Sequence, residues 1–359
     1  MTEFITIGKS KQFYDFLKNE ILSGEYKAGD KFPSIRDLAE KYSVSKTTVN
    51  LVISNLVNEK LLYVEQGKGT FVSDKKPDSR SSKKMIGVML FDFRYENNVE
   101  APIFNSIQEN LKDDYFLIPY NSYDNNEIFY KGIKGLMELD VDGMILVPPT
   151  MEDHDADYIK SLITKDIPIV FINRRIPGIK GDFFSMDFEK GVYKAAKYII
   201  DSGKKRIAMF KNKSPSLQEQ MYRGFVAAHK EAGLEFKDEY MLEWPYWSKM
   251  GMGGDPKIAE ISLKKVINEI DGLIASDYFI YKNRNVIYES GKVIPSDISI
   301  VGLNDSAYSR FMNPKLTAIP FLSEEIGVQA VKTIMERIEG KKKAEVNMWL
   351  EPDIIIRSS

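Results

Sequence analysis

The stretch AGDKFPSIRDLAEKYSVSKTTVNLVISNL, from Ala28 to Leu56, decides how the first part of this chain folds. Ile35, Leu38, Ala39 and Tyr42 recur at helical spacing, so a short amphipathic helix is predicted over Ser34 to Tyr42. Ser34 follows Pro33 and stands where an N-cap belongs. The break Ser43-Val44-Ser45 leads into a second helix carrying Val49, Val52, Ile53 and Leu56 on one face. Two short helices joined by a turn, the second opened by small polar and basic residues, form the helix-turn-helix pattern. Lys46, Thr47 and Asn50 lie in the first turns of that second helix, away from its apolar stripe. In such motifs this is the part that meets base edges.

Two further pieces complete the unit. Phe13, Phe16, Leu17 and Ile21 predict a preceding helix from about residue 9 to 23, ended by Gly24. After the second helix, Leu61 to Glu65 and Thr70 to Val72 flank Gln66-Gly67-Lys68-Gly69, a hairpin whose glycine-rich tip carries one lysine. The segment resembles the GntR-type winged helix-turn-helix DNA-binding domain. The matching pieces are Ser23-Gly24, Gly29 to Ser34, Arg36 to Ala39, Val44-Ser45, Thr47 to Val49 and Gly67 to Val72, in order and spacing. Ile35 stands where the family usually has Glu, Lys46 where it has Arg, and Asn50 at a frequent Arg. These departures bear on the operator sequence rather than on the fold. The resemblance implies DNA contacts from Arg36, Ser45, Lys46, Thr47, Thr48, Asn50 and, at the wing, Lys68.

Composition bounds the rest. At 359 residues the chain is too long for one ordinary domain. It has no cysteine, so disulfides, thiolate metal sites and cysteine nucleophiles are excluded. No apolar run approaches a membrane span and the N-terminus lacks a signal-peptide layout, so a cytoplasmic protein with no membrane partner is expected. The net charge of −2 does not itself suggest DNA binding, and residues 1 to 76 hold twelve Lys and Arg against ten Asp and Glu. Steering must therefore come from local placement of Lys31, Arg36, Lys41, Lys46 and Lys68.

Residues 74 to 84 are polar, basic and broken by Pro77, which reads as a linker between a head at 1–73 and a body at 85–359. From Met85 apolar strands alternate with amphipathic helices: strands near 85–91, 115–119, 143–147, 168–172, 183–186, 206–210, 272–275 and 298–303, helices such as 105–113, 191–202 and 222–232. The fold class is α/β, with parallel sheets covered on both faces. Ligands of such sheets bind at the carboxyl ends of the strands.

Specific motifs follow in order: Ile167 to Arg174, Ser185 to Asp187, Gly203 to Ile207, Tyr222 to Phe225, Asp271 to Asp277, Ile294 to Asp305, Pro314 to Ile319 and Glu351 to Ser358. They resemble the effector domain of LacI-type repressors, itself similar to periplasmic ribose-binding proteins. That resemblance implies two Rossmann-like lobes, three crossovers and a ligand between the lobes. A GntR-type head on such a body resembles arabinose-repressor-like regulators.

By resemblance, Asn173 and Arg174 contact a sugar, which suits an amide and a guanidinium that can each bond two vicinal hydroxyls. Arg223 matches a second ligand-binding arginine and Asp277 a cleft carboxylate, though Asp277 also reads as a helix N-cap. Asn304 stands where the family usually has an Asp, which removes a charged acceptor and admits a more acidic ligand. Phe104, Phe321, Tyr246 and Trp247 are aromatic candidates for stacking on a sugar ring; each reads equally as packing.

Other chemistry finds little support. His154 and His229 are the only histidines and lack ligand-spaced partners, so no metal site or Ser-His-Asp triad is expected, and His229 reads as structural. Gly251 to Asp255 lacks the Lys-Ser/Thr of a phosphate loop. Glu324-Glu325 reads as a helix start. The expectation is a non-enzymatic regulator, without cofactor, that binds palindromic operator DNA as a homodimer under control of a small carbohydrate. A purine, sugar-acid or sugar-phosphate effector, or a solute-binding protein without DNA, are the alternatives.

Overall fold

The computed structural model describes residues 9–65, 67–73, 83–91, 99–150, 155–243, 256–341 and 344–359, in two compact units, Met1–Lys83 and Lys84–Ser359. The first unit holds α1 (Lys9–Leu22), α2 (Ile35–Tyr42), α3 (Lys46–Asn58) and an antiparallel hairpin of β1 (Leu62–Glu65) and β2 (Gly69–Val72). Local signals fix its helix ends. Ser34 and Asp37 form a reciprocal capping box at α2, and Ser43 closes that helix in the left-handed region at φ 53°. Ser45 caps α3 by accepting from the Thr48 amide at 3.1 Å. Phe13, Leu17, Leu38, Val49, Val52 and Leu56 are fully buried in one cluster that the hairpin extends through Leu62 and Val72. The apolar stripes read from the sequence are thus the faces that pack together.

The second unit begins with β3 (Lys84–Leu90), so Lys84 opens a strand instead of closing a linker. Its first lobe continues with α4 (Glu100–Glu109), β4 (Tyr115–Asn121), α5 (Asn126–Glu138), β5 (Gly143–Leu146), α6 (Ala156–Leu162), β6 (Ile169–Ile172) and β7 (Asp182–Met186). A second lobe follows with α7 (Phe188–Asp201), β8 (Ile207–Phe210), α8 (Pro215–Glu231), β9 (Met241–Leu242), α9 (Pro256–Val266), β10 (Gly272–Ser276), α10 (Asp277–Lys282), α11 (Arg284–Glu289), β11 (Ser299–Asn304), α12 (Ala307–Phe311) and β12 (Thr317–Pro320). The chain then returns to the first lobe with α13 (Ser323–Ile338) and β13 (Asn347–Leu350).

Both sheets are parallel, in the orders β13-β7-β6-β5-β3-β4 and β12-β11-β10-β8-β9. The chain crosses between lobes three times: at Asp187, at Phe321–Leu322, and after Leu350, where Ile355 reaches back to bridge Ala318. Arg337 holds α13 to the first lobe by gripping the buried Asp182 carboxylate with Nε and Nη2 at 2.8 and 2.7 Å. Periodicity missed β9, β12 and β13. It also started α4 and α8 late, although Ile103 and Leu217 in their first turns belong to the buried stripes that continue through Ile107 and Met221. His229 is buried against Phe225 and Phe236; one ring nitrogen bonds the Phe225 carbonyl at 2.9 Å and Nε2 has no partner, so it is structural but only half satisfied. Burial pushes its pKa down, which keeps the ring neutral.

Candidate DNA-reading head and effector cleft

In the head, the Ser45 cap leaves the first turns of α3 exposed, with Lys46, Thr47 and Asn50 presented to solvent and Val49 buried behind them. Arg36 is exposed near the start of α2. Ser45 and Thr48 differ from these, because their hydroxyls bond each other at 2.8 Å and hold the helix start. At the wing tip, Lys68 is exposed and pairs with Glu65 at 2.9 Å. Such an exposed pair is worth less than about 1 kcal/mol, so it yields readily to a phosphate. Tyr63 and Phe71 stack on the wing at 5.7 Å, an exposed aromatic feature that strand alternation alone does not single out.

In the body, the carboxyl ends of the first lobe's strands carry several candidates. Arg174 follows β6, and its Nε donates to the Pro148 carbonyl at 2.9 Å, so the half-buried guanidinium spans the ends of β5 and β6. Asn173 sits in the left-handed region at φ 66°; it is buried, its amide donates to Phe184 and its Oδ1 accepts from Ser185 at 3.4 Å. It aims the loop that carries Arg174, with its side chain turned toward β7. Phe104 lies on α4, half-buried against the core.

From the second lobe, Asp277 follows β10 and Asn304 ends β11 with φ 103°. Ser276 caps α10, so Asp277 is not that N-cap. Its Oδ2 instead accepts from the Ser306 amide at 2.5 Å and the Ser309 hydroxyl at 3.0 Å, tying β10 to the start of α12. Asp277 Oδ1 is buried without a partner, and burial raises the pKa to about 6 against the opposing Ser306 and Ser309 bonds.

Two candidates fall elsewhere. Arg223 is exposed on α8 and bound to Glu189 at 2.7 Å and Glu219 at 2.8 Å. The neighbouring glycine explains the motif better: a Cβ on Gly224 would stand 2.1 Å from the Glu189 carbonyl, so only glycine lets α8 lie this close to α7. Phe321 is buried at the second crossover against Phe188, with ring centres 5.9 Å apart. It packs the hinge. Tyr246, Trp247, His154 and the glycine run after Met250 lie outside the described residues.

A cavity of about 670 Å³ lined by Asp140, Lys165, Asp166, Lys180, Arg337 and Glu345 lies at the opposite, amino ends of β5 to β7. It is a seam of structural ion pairs, not the cleft. Ser122 and Asp124 follow β4 and Lys213 follows β8, positions that no sequence motif singled out. Each is a polar residue just past a strand's carboxyl end, where ligands of parallel sheets bind. Among the described residues no group of His, Cys, Asp and Glu could hold a metal, and no helix is long and apolar enough to cross a membrane.

Comparison with known proteins agrees with this architecture. Residues 9–72 match the family model described as bacterial regulatory proteins, gntR family. Residues 101–245 match periplasmic binding proteins and sugar binding domain of LacI family, and residues 196–359 match a periplasmic binding protein-like domain. The chain is 27% identical to an arabinose metabolism transcriptional repressor of Geobacillus stearothermophilus, over 99% of this chain and 98% of that protein. Its fold is similar to the transcriptional regulator CelR–cellobiose complex, with TM-score 0.63, 18% identity, and coverage of 91% of this chain and 100% of that one. It is also similar to a periplasmic binding protein/LacI transcriptional regulator from Alkaliphilus metalliredigens QYMF complexed with D-xylulofuranose, with TM-score 0.63, 21% identity, and coverage of 77% and 98%.

Proposed function

We propose that this chain, a GntR-type winged head joined to a LacI-type sensing body, is a transcriptional repressor of carbohydrate-utilisation genes, controlled by a small sugar bound between the body's lobes. The observation that carries the reading is the pairing of two surfaces on one chain. An exposed recognition-helix start presents Lys46, Thr47 and Asn50, and a two-lobed body brings Arg174 to its strand ends. The name of the Geobacillus relative and the sugars in the two solved relatives support a carbohydrate effector. Regulation, not turnover, fits a site where sequence and structure supply no catalytic grouping among the described residues.

A homodimer on a palindromic operator is part of the proposal, since two-fold protein symmetry matches two half-sites. Phe311 is 87% exposed beside the half-exposed Tyr288. With Tyr281, Arg284 and Tyr308 they line a hollow of about 440 Å³ on the second lobe. An aromatic patch with an arginine at its rim has the composition of a protein–protein interface. Ligand-driven change in lobe closure would alter the head spacing that the dimer favours, a coupling of about 1–3 kcal/mol. Cytoplasmic location follows from binding to chromosomal DNA.

Thermal unfolding of the full chain against neutral pentoses, hexoses, disaccharides and their phosphates tests the effector. A ligand at about 100 times its Kd adds roughly 2.7 kcal/mol to the body. The responding sugar should change affinity for DNA from the promoters the protein controls, and Arg174→Ala should remove that response while DNA binding persists. No stabilisation by any member, together with sugar-insensitive DNA binding, would sink the effector reading.

A further inference from the structure

We infer that Ser122 and Asp124 form a hydroxyl-reading subsite at the mouth of the body's first lobe. The inference rests on the small-sugar reading above and names a part of the site that no motif marks. Beyond the end of β4 the backbone turns sharply, with Tyr123 and Asp124 both in the left-handed region at φ 50° and 54°. The turn is pinned on two sides: the Ser122 and Tyr123 amides donate to Leu90 and Phe91, and the Asn125 side chain caps α5. Asp124 Oδ1 accepts from the Thr150 amide, which lies beyond β5. One carboxylate oxygen is therefore fixed to the scaffold.

The other oxygen is not. Asp124 Oδ2 is buried without a hydrogen-bond partner among the described residues, and so is the hydroxyl of Ser122, a residue only 1% exposed. Two orphaned polar atoms two positions of chain apart, on a backbone held in a costly conformation, are unusual in a folded protein. Each is costly until a partner arrives. A carboxylate oxygen requires a donor, and a serine hydroxyl can give or accept. A sugar's vicinal hydroxyls satisfy both. A ligand carboxylate or phosphate at the same point would be repelled by Asp124.

Lys213 comes from the opposite lobe, in the loop after β8. Burial pushes its pKa down, and the Asp124 carboxylate opposes that shift, so the charge of Asp124 reaches across to the second lobe. The Asp124 carboxylate therefore has a cation of the second lobe in its vicinity. Ligand bound there would contact both lobes, which is what a closure-driven sensor needs.

The test is calorimetric titration of the full chain with the neutral sugar found by the unfolding panel. In Asp124→Asn the amide oxygen still accepts from Thr150 while Oδ2 becomes a donor, so only the unpartnered oxygen changes. Affinity should fall at least about tenfold in that variant, and about fivefold in Ser122→Ala, with operator binding of the ligand-free protein unchanged. Lys213→Met should weaken the same sugar severalfold. Sugar affinity within twofold of wild type in Asp124→Asn would overturn the subsite; a changed melting temperature alongside would mark Asp124 and Lys213 as an interlobe ion pair. A wild-type protein that answers only phosphorylated sugars would also overturn it while leaving the regulator standing. If the wild type answers no sugar, the effector reading itself fails.

Discussion

The head and the body solve recognition in opposite ways. In the head, the residues proposed to meet DNA are exposed and project from a helix whose other face is buried: Lys46, Thr47 and Asn50 stand outward and Val49, Val52 and Leu56 inward. In the body, the residues around the cleft are half-buried or buried, sit past strand ends, and rest on strained backbone at Asn173, Asn304 and Asp124. A flat charged polymer is met by a projecting surface. A small molecule must be enclosed, so its contacts are drawn from segments far apart in sequence and desolvated before it arrives.

That contrast can be broken from its core outward. Leu56 is fully buried between the head's helices, and truncation to Ala should cost the head about 2–5 kcal/mol. Operator binding near the growth temperature should collapse while sugar-dependent stabilisation of the body remains. If calorimetry instead shows both units losing stability together, they do not behave as separable parts.

Next in size is the buried carboxylate of Asp277. Its folded pKa of about 6 lies above the ordinary 3.8, so the folded state holds the proton more tightly than the unfolded chain does. The cost of keeping it ionised therefore appears as pH rises through that window and is complete above it. Asp277→Asn, neutral throughout, should gain stability over wild type by up to about 2–3 kcal/mol at pH 7.5 and little at pH 4. Urea unfolding at the two pH values decides it, since a gap of equal size at both would mean burial is not what shifts this group.

On the DNA side, Lys46→Ala or Asn50→Ala should weaken operator binding by about 1–3 kcal/mol each if they read base edges. Lys68→Ala should act almost equally on any DNA and lower the salt slope by about one. Fluorescence anisotropy at several salt concentrations separates the two behaviours. Equal losses on operator and random DNA for Asn50→Ala would move that residue to the backbone.

The smallest effect is expected at Arg223. Exposed and shared between Glu189 and Glu219, it should cost less than about 1 kcal/mol on removal and leave the sugar response intact. An Arg223→Ala protein that binds DNA but ignores sugar would return this residue to the cleft.

How much of this was legible depends on whether the signal is local. The head's helices, caps and wing were readable because capping and amphipathic spacing act within a few residues, as the Ser34–Asp37 box shows. The body's main strands were readable as apolar runs. β13 was not: it is an exposed edge strand, Asn-Met-Trp-Leu, that the sheet recruits through Phe183 and Asp187. Around the candidate cleft, only the position of a side chain past a strand end was legible. The motif ending in Arg174 brings that side chain to the strand ends, whereas Arg223 shares a motif whose physical requirement belongs to Gly224. Asp124 escaped because its importance lies in a bond to Thr150 and in what it lacks, and neither is written at its own position.

The threefold crossing of the body has a consequence for how the protein is made. The first lobe's sheet starts at Lys84, but its last strand and the helix clamped by Arg337 on Asp182 come from residues 323–350. On the ribosome the second lobe's strands through β12 are synthesised before the first lobe can be completed. The sensor's earliest half must wait, with the flank of β7 uncovered, for nearly the last segment to emerge. A premature stop shortly before that segment would strip the first lobe and leave the second formed, so late truncations should yield aggregation-prone chains instead of slightly shortened sensors.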